Sequence, residues 1–188
     1  MNNRYKILLS ATLLANFGDN LIGPFYAVFV EKIGGGILAM GYSATVFSIC
    51  TGILMVIVGK MSDNLNKELI TIAGYALYAL GSILYLLISN PWHLFVLQIV
   101  FAFGTACLSA PLTALFAKHI QKGREGMQWG IEGGVSYIVV GIAVFIGTLI
   151  VNQWGFKVLF LTMFLIQIMA VLIQTKLYFA TRKKQNSI

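Results

Sequence analysis

Residues 37–67 read ILAMGYSATVFSICTGILMVIVGKMSDNLNK. The first 22 of them carry no charge, and the last nine carry Lys60, Asp63 and Lys67. A helix that crosses a bilayer needs about 20 mostly apolar residues. Residues 37–58 therefore read as a span, and 59–67 as a loop at the membrane surface. The same alternation extends in both directions. Uncharged runs occupy 69–90, 92–117, 133–156 and 158–175, and the run 7–30 carries Asp19 alone. The breaks are short, as they must be where backbone crosses lipid only as helix or closed barrel. The pattern predicts an all-α membrane protein with six transmembrane helices.

The basic residues choose sides. If the spans alternate in direction, eleven of the 13 fall together: Arg4, Lys6, Lys60, Lys67, Lys118, Lys122, Arg124, Lys176, Arg182, Lys183 and Lys184. Only Lys32 and Lys157 fall on the other side. The crowded side is expected to be cytoplasmic. Both termini are then cytoplasmic, and the membrane expected is the plasma (inner) membrane. Residues 1–180 form one six-helix transmembrane domain, and 181–188 a basic cytoplasmic tail.

Composition agrees. The chain is 59% hydrophobic and 10% charged, with a mean hydropathy of +0.85. A soluble fold would need six buried helices almost without polar faces. The net charge of +7 follows the cytoplasmic bias. It points to membrane lipid headgroups, not to nucleic acid. The first span is expected to persist rather than be cleaved. It is long, holds Asn16, Asp19 and Asn20, and lacks a clear small-residue cleavage site. Cys50 and Cys107 lie inside spans and read as small apolar residues. His93 and His119 fall at opposite faces as surface residues, so no metal site is expected, and no cofactor. Gly41-Tyr-Ser43-Ala44 has no histidine at its depth, so no enzyme is expected.

Polar residues in lipid are costly, so polar stripes mark inward faces. On the first span Thr12, Asn16, Asp19, Asn20, Gly23 and Tyr26 fall within an arc of roughly 120° at about 100° per residue. Pro24 is expected to kink that helix. On the fourth span Gln98, Ala102, Thr105, Ser109 and Thr113 make a second stripe. Two such faces predict a wet cavity. Gly41, Thr45, Ser48 and Gly52, and separately Gly130, Gly134 and Gly141, make small-residue faces, read as ordinary bundle packing. Asp19 lies roughly 18 Å into its helix at about 1.5 Å per residue. A charge there costs about 2.5–3.5 kcal/mol. It reads as a proton or cation site; the structural alternative is a protonated acid bonded to Asn16 or Asn20. Glu132, little more than a turn inside the fifth span, either joins that pathway or reaches the cytoplasmic surface. Asp63 is placed to cap the third span.

Three local patterns resemble one family. Gly59-Lys-Met-Ser-Asp63-Asn-Leu-Asn-Lys67 is similar to the loop after helix 2 of major facilitator superfamily transporters, Gly-x-Leu-small-Asp-Arg-x-Gly-basic-basic. Gly59, Asp63 and Lys67 match; Asn64, Asn66 and Glu68 depart. Gly18-x5-Pro24 is similar to a helix 1 motif of drug–proton antiporters, whose second proline is Ala27 here. Asn152-Gln-Trp-Gly155-Phe-Lys-Val-Leu-Phe160 resembles the turn into helix 6. No arginine stands on the fourth span. The resemblance covers essentially the whole chain as the amino-terminal half of such a transporter.

What the resemblance implies is a 3+3 inverted repeat and secondary active transport by alternating access, with or without coupling to protons. The cavity residues would be Asn16, Asp19, Asn20, Gln98, Thr105, Ser109 and Glu132. Gly59, Asp63 and Lys67 would close the cytoplasmic side. The family has twelve helices, with substrate between two halves that are parallel repeats. The expected partner is therefore a second six-helix half, either a parallel homodimer copy or a separate chain, together with a small-molecule substrate; in a homodimer the resemblance implies that the second span of one copy, at Gly41–Gly52, meets the fifth span of the other, at Gly130–Gly141. The alternative reading is a non-transporting interaction subunit or a truncated transporter fragment.

Overall fold

The computed structural model describes residues 3–185. Helices α1 (Asn3–Asn20), α2 (Phe25–Lys32), α3 (Ile37–Asn64), α4 (Lys67–Leu84), α5 (Pro91–His119) and α6 (Glu125–Gln185) make up the fold, with a 3-10 turn at Tyr85–Leu87. Among the described residues four helices, α3 to α6, are long and apolar enough to cross a membrane, and α1 with α2, bent by 45°, makes a fifth if the pair is one span. The protein is an integral membrane protein, all-helical among its described residues.

Helix α6 is 61 residues long. At about 1.5 Å per residue it would span about 90 Å if straight, against a hydrocarbon core of about 30 Å. It is not straight. Gly155 has φ 77° and ψ −179°, and contacts on either side show the chain reversing there. Going out, the Tyr5 hydroxyl donates to the Gln128 carbonyl at 2.6 Å, Asn16 donates to Ser136 at 3.3 Å, and Gly147 meets Leu21. Coming back, Phe160 packs on Phe29 at 5.0 Å between ring centroids. Gln167 then donates to the Ala15 carbonyl at 3.0 Å, and Leu177 joins the cluster around Tyr5 and Leu8. Both arms of α6 thus flank α1 in opposite directions. The turn expected within Asn152–Phe160 is compressed to one residue, because glycine tolerates positive φ without a side-chain clash.

Aromatic clusters close the two ends. At one end Tyr85 stacks on Phe160 at 4.6 Å, and Lys32 Nζ stands 5.5 Å from the centre of the Phe156 ring. At the other, Tyr5 meets Phe116 edge-on at 5.5 Å. Between them α4 and α5 run antiparallel along a seam of glycines. Gly74 lies under Leu108, Gly81 under the Phe101 ring and Gly104 under Tyr78. Small residues let helices approach closely, and dispersion across the seam is a main attraction available in lipid.

Several local expectations need correction. Helix α3 continues past Gly59 to Asn64, so the loop shrinks to residues 65–66. Asp63 is therefore in the last turn of α3, exposed, and caps nothing. Asn66 caps α4 instead: its Oδ1 accepts from the amides of Glu68 at 2.9 Å and Leu69 at 3.2 Å. His119 is not a surface residue. It is buried, with Nδ1 2.7 Å from the Leu115 carbonyl oxygen. Helix α6 runs on through Gln185, into the segment read as a tail. The side chains of 181 and 183–185, and all of 186–188, lie outside the described residues.

The small-residue faces on α3 and on the first arm of α6 do not pack inside the bundle. Among the described residues, a Cβ added at Gly41, Gly52, Gly130, Gly134 or Gly141 would meet nothing within 4 Å. Helical periodicity identified the faces but not which side of each helix the other helices would take. At Gly147 the situation is the reverse, since a Cβ would strike the Leu21 carbonyl. Gly147→Ala should destabilise the protein by about 1–3 kcal/mol through overpacking. Gly141→Ala should be neutral or stabilising by up to about 1 kcal/mol, as alanine favours helix over glycine. Thermal melts of the two detergent-solubilised variants check this, and indistinguishable melts would contradict the packing.

Candidate functional site

The site begins with a broken helix. Helix α1 ends at Asn20 and α2 starts after Pro24. The sequence placed the kink at Pro24; the structure spreads it over residues 21–24, with Gly23 at φ 26°. Hydrogen bonding resumes with Phe25 donating to the Ile22 carbonyl at 2.8 Å and Tyr26 to Gly23 at 3.3 Å. Backbone freed by such a break must be satisfied or covered when it lies at membrane depth. Here the Leu21 carbonyl is seated against Gly147. The Asn20 side-chain amide donates to the Asn16 carbonyl at 2.8 Å. Asp19 thus stands in the last turn before the break.

A cavity of about 240 Å³ opens beside it. Its walls include Asn16 and Asp19 from α1, Tyr75 and Tyr78 from α4, Thr105 and Ser109 from α5, and Glu132 and Gln167 from α6. A second cavity of about 150 Å³ shares Asp19 and Tyr78 and adds Phe47, Tyr85, Gln98 and Phe101. The structure thus brings Asn16, Asp19, Thr105, Ser109 and Glu132 to one space and Gln98 to the adjoining one. Asn20 lines neither, because its side chain folds back along its own helix.

The polar groups are ordered. Thr12 donates to the Leu8 carbonyl at 2.9 Å, so the 3.2 Å contact with Tyr75 is a donation from the tyrosine. Thr105 donates to the Phe101 carbonyl at 2.9 Å, and Tyr78 in turn donates to Thr105 at 2.8 Å. Ser109 donates to the Thr105 carbonyl at 2.8 Å. Beside the second cavity Gln98 donates to the Tyr26 hydroxyl at 3.0 Å, which lies 2.8 Å from Ser43 Oγ. Gln167 is fully buried; its Nε2 is bonded to Ala15, and its Oε1 has no partner. The arrangement can bind a polar solute or exchange a proton at a carboxyl. Among the described residues no three histidines, cysteines or acids gather into a metal-holding group.

The loop motif stands apart from the cavity. Lys67 Nζ donates to the Ser62 carbonyl at 2.6 Å, which ties α4 to the end of α3. Gly59 faces Ala110 of α5, 3.7 Å from an added Cβ.

Sequence reading passed over Tyr75, Tyr78 and Gln167. A signal existed. Gln167 and Gln174 are seven residues apart in an otherwise apolar segment and so share one helical face, and both are fully buried. The tyrosines carry a weaker signal, since a tyrosine in a span reads equally as an interface anchor.

Comparison with known proteins adds the family. The model of the Major Facilitator Superfamily matches residues 8–187. An uncharacterised MFS-type transporter of Methanocaldococcus jannaschii is 22% identical over 154 residues, covering 82% of this chain and 40% of the relative. Multidrug resistance protein MdtH of Photorhabdus laumondii is 29% identical over 120 residues, covering 63% of this chain and 30% of that protein. MdtH of Blochmanniella floridana is 26% identical over 145 residues, covering 73% of this chain and 36% of its own length. The chain thus spans 30–40% of the length of these relatives. With the matching model covering nearly all of its described residues, the chain belongs to the major facilitator superfamily.

Proposed function

We propose that this chain is one six-helix half of a secondary transporter that works by alternating access. The observation that carries the reading is the polar cavity around Asp19, enclosed in a bundle whose exterior is largely apolar. A polar interior is costly in lipid and is kept where a solute or ion passes. The relatives, whose names describe a transporter and multidrug resistance proteins, support the same class. In this reading α1 with α2, α3, α4, α5 and the two arms of α6 are six crossings, arranged as two inverted triplets. The ends carrying Arg4, Lys60, Lys67, Lys118 and Lys176 face the cytoplasm of the plasma membrane.

A second half completes the site. It is a parallel second copy or a separate chain, and it docks on the open small-residue faces of α3 and α6. Gly41, Gly52, Gly130 and Gly141 have free space above them and allow close helix approach. Exposed Asp63, with Gly59 and Lys67, would meet the partner at the cytoplasmic end. A second reading, a non-transporting subunit or a transporter fragment, is favoured by the chain's spanning 40% or less of its relatives' length. The mass of the particle in nanodiscs separates the two. Two copies of 20.6 kDa or a stoichiometric second chain supports transport, and a stable monomer supports the alternative.

Topology is tested with single cysteines at Leu65 and Asn152, both exposed, in a protein whose Cys50 and Cys107 are replaced. Membrane-impermeant maleimide should label Leu65→Cys from the cytoplasmic side and Asn152→Cys from the opposite side. Labelling from one side contradicts six crossings.

Asp19 is proposed as the coupling acid, with Glu132 on the same cavity. Protonation removes the cost of enclosing the carboxyl in a closed, dry state, and deprotonation favours a wet, open one, so a proton biases one state of a rocking pair. Asp19→Asn keeps the shape and cannot titrate. In proteoliposomes it should abolish proton-driven accumulation, leaving at most passive exchange. Accumulation equal to the parent protein would assign Asp19 a structural role instead.

A further inference from the structure

Two lysines stand at one level on neighbouring helices. On the returning arm of α6, Gln167 is bonded to the Ala15 carbonyl of α1, and the two helices run antiparallel there. Lys176 lies nine residues past Gln167, and Lys6 lies nine residues before Ala15. At about 1.5 Å per residue, both sit about 13.5 Å from that bond, in the same direction. Leu177 packs in one cluster with Tyr5 and Leu8, which fixes the same register independently.

That level is the edge of the hydrocarbon. Helix α6 reverses at Gly155, and Lys176 comes 21 residues later. The arm between them is about 31 Å long, against a hydrocarbon core of about 30 Å. A lysine there can lay its stem along apolar surface and keep its ammonium among the headgroups.

Both lysines are exposed, and among the described residues neither has an ion pair or a hydrogen bond. Their own helices offer no counter-charge. Residues 156–185 contain no acid, and the one acid of α1, Asp19, lines the cavities. On the neighbouring elements Glu132 lines the first cavity, Glu68 is buried, and Glu125 accepts from the Gly123 amide. Above Lys176 the returning arm presents an apolar ridge. Leu165, Met169 and Leu172 recur at helical spacing, and all three are exposed. A charged point at the end of an apolar ridge has the layout of a phospholipid, with a head at the surface and a chain running inward.

We propose that Lys6 and Lys176 together hold the phosphate of an anionic phospholipid whose acyl chain lies along the Leu165–Leu172 ridge. The complementarity is one of charge: two uncompensated ammonium groups at one depth meet a lipid with net negative charge. Each basic residue near the surface favours such a lipid, and ammonium–phosphate hydrogen bonds strengthen the hold. A zwitterionic lipid carries its own cation and gains less. The lysines line neither cavity, so this assignment and the transporter reading stand or fall separately.

The test is native mass spectrometry of the detergent-purified full chain, titrated with phosphatidylglycerol or with phosphatidylcholine of the same acyl chains. The first phosphatidylglycerol should bind at least about 10-fold more tightly than phosphatidylcholine. Lys6→Gln and Lys176→Gln should each weaken phosphatidylglycerol by about 5-fold and leave phosphatidylcholine unchanged. Arginine at both positions should keep the preference. Lys122→Gln, at an exposed basic residue between α5 and α6, should also keep it. Equal binding of the two lipids by the parent protein overturns the assignment, and needs no variant to fold. So does a loss at Lys122→Gln as large as at Lys6→Gln or Lys176→Gln, which would mean diffuse attraction to the whole basic end. Displacement of the lipid by millimolar inorganic phosphate would identify a free-anion site and overturn it as well.

Discussion

The structure depends on how a helix can be broken inside a membrane. Every backbone polar group there must be satisfied or covered by protein. Helix α1 gives up regular hydrogen bonding at residues 21–24, and the first arm of α6 covers the gap. Gly147 is the contact point, because only a residue without a side chain lets the helix backbone come up against the Leu21 carbonyl. The two arms of α6 then hold α1 from opposite directions, one through Ser136 and Gly147, the other through Gln167 and Leu177. Asp19 is thereby held beside a cavity rather than against lipid.

Glycine plays two opposite roles in this bundle. Gly74, Gly81, Gly104 and Gly147 lie beneath side chains or backbone of neighbouring helices. They are the close contacts on which the fold rests, since apolar side chains gain little by leaving lipid for one another. A Cβ added at Gly41, Gly52, Gly130, Gly134 or Gly141 would meet nothing within 4 Å among the described residues. One residue type thus marks both the interior seams of the half bundle and the faces it leaves open.

The cavity is polar in a directional way. Hydroxyls donate to backbone carbonyls one turn earlier, a common accommodation of serine and threonine in helices, and tyrosines donate to threonines across the α1–α4 and α4–α5 contacts. The result is a wall that is rich in acceptors, lies near two carboxyls, and is joined to a more aromatic chamber.

The amino-acid sequence by itself determined the all-helical membrane class, because uncharged runs of spanning length have no other stable form in lipid. It also marked Asn16, Asp19, Thr105 and Ser109 as one inward set, since a polar stripe at helical spacing has one low-cost direction to point. The motifs in α1, after α3 and at Gly155 carried the resemblance to the family. Tertiary structure decided the rest. It moved the cap of α4 from Asp63 to Asn66, because α3 runs one turn farther than composition suggests. It buried His119 and compressed the last turn into Gly155. It turned the small-residue faces outward and brought Tyr75, Tyr78 and Gln167 into the cavity. Periodicity within one helix says which residues share a face, and only the packing of other helices says what that face meets.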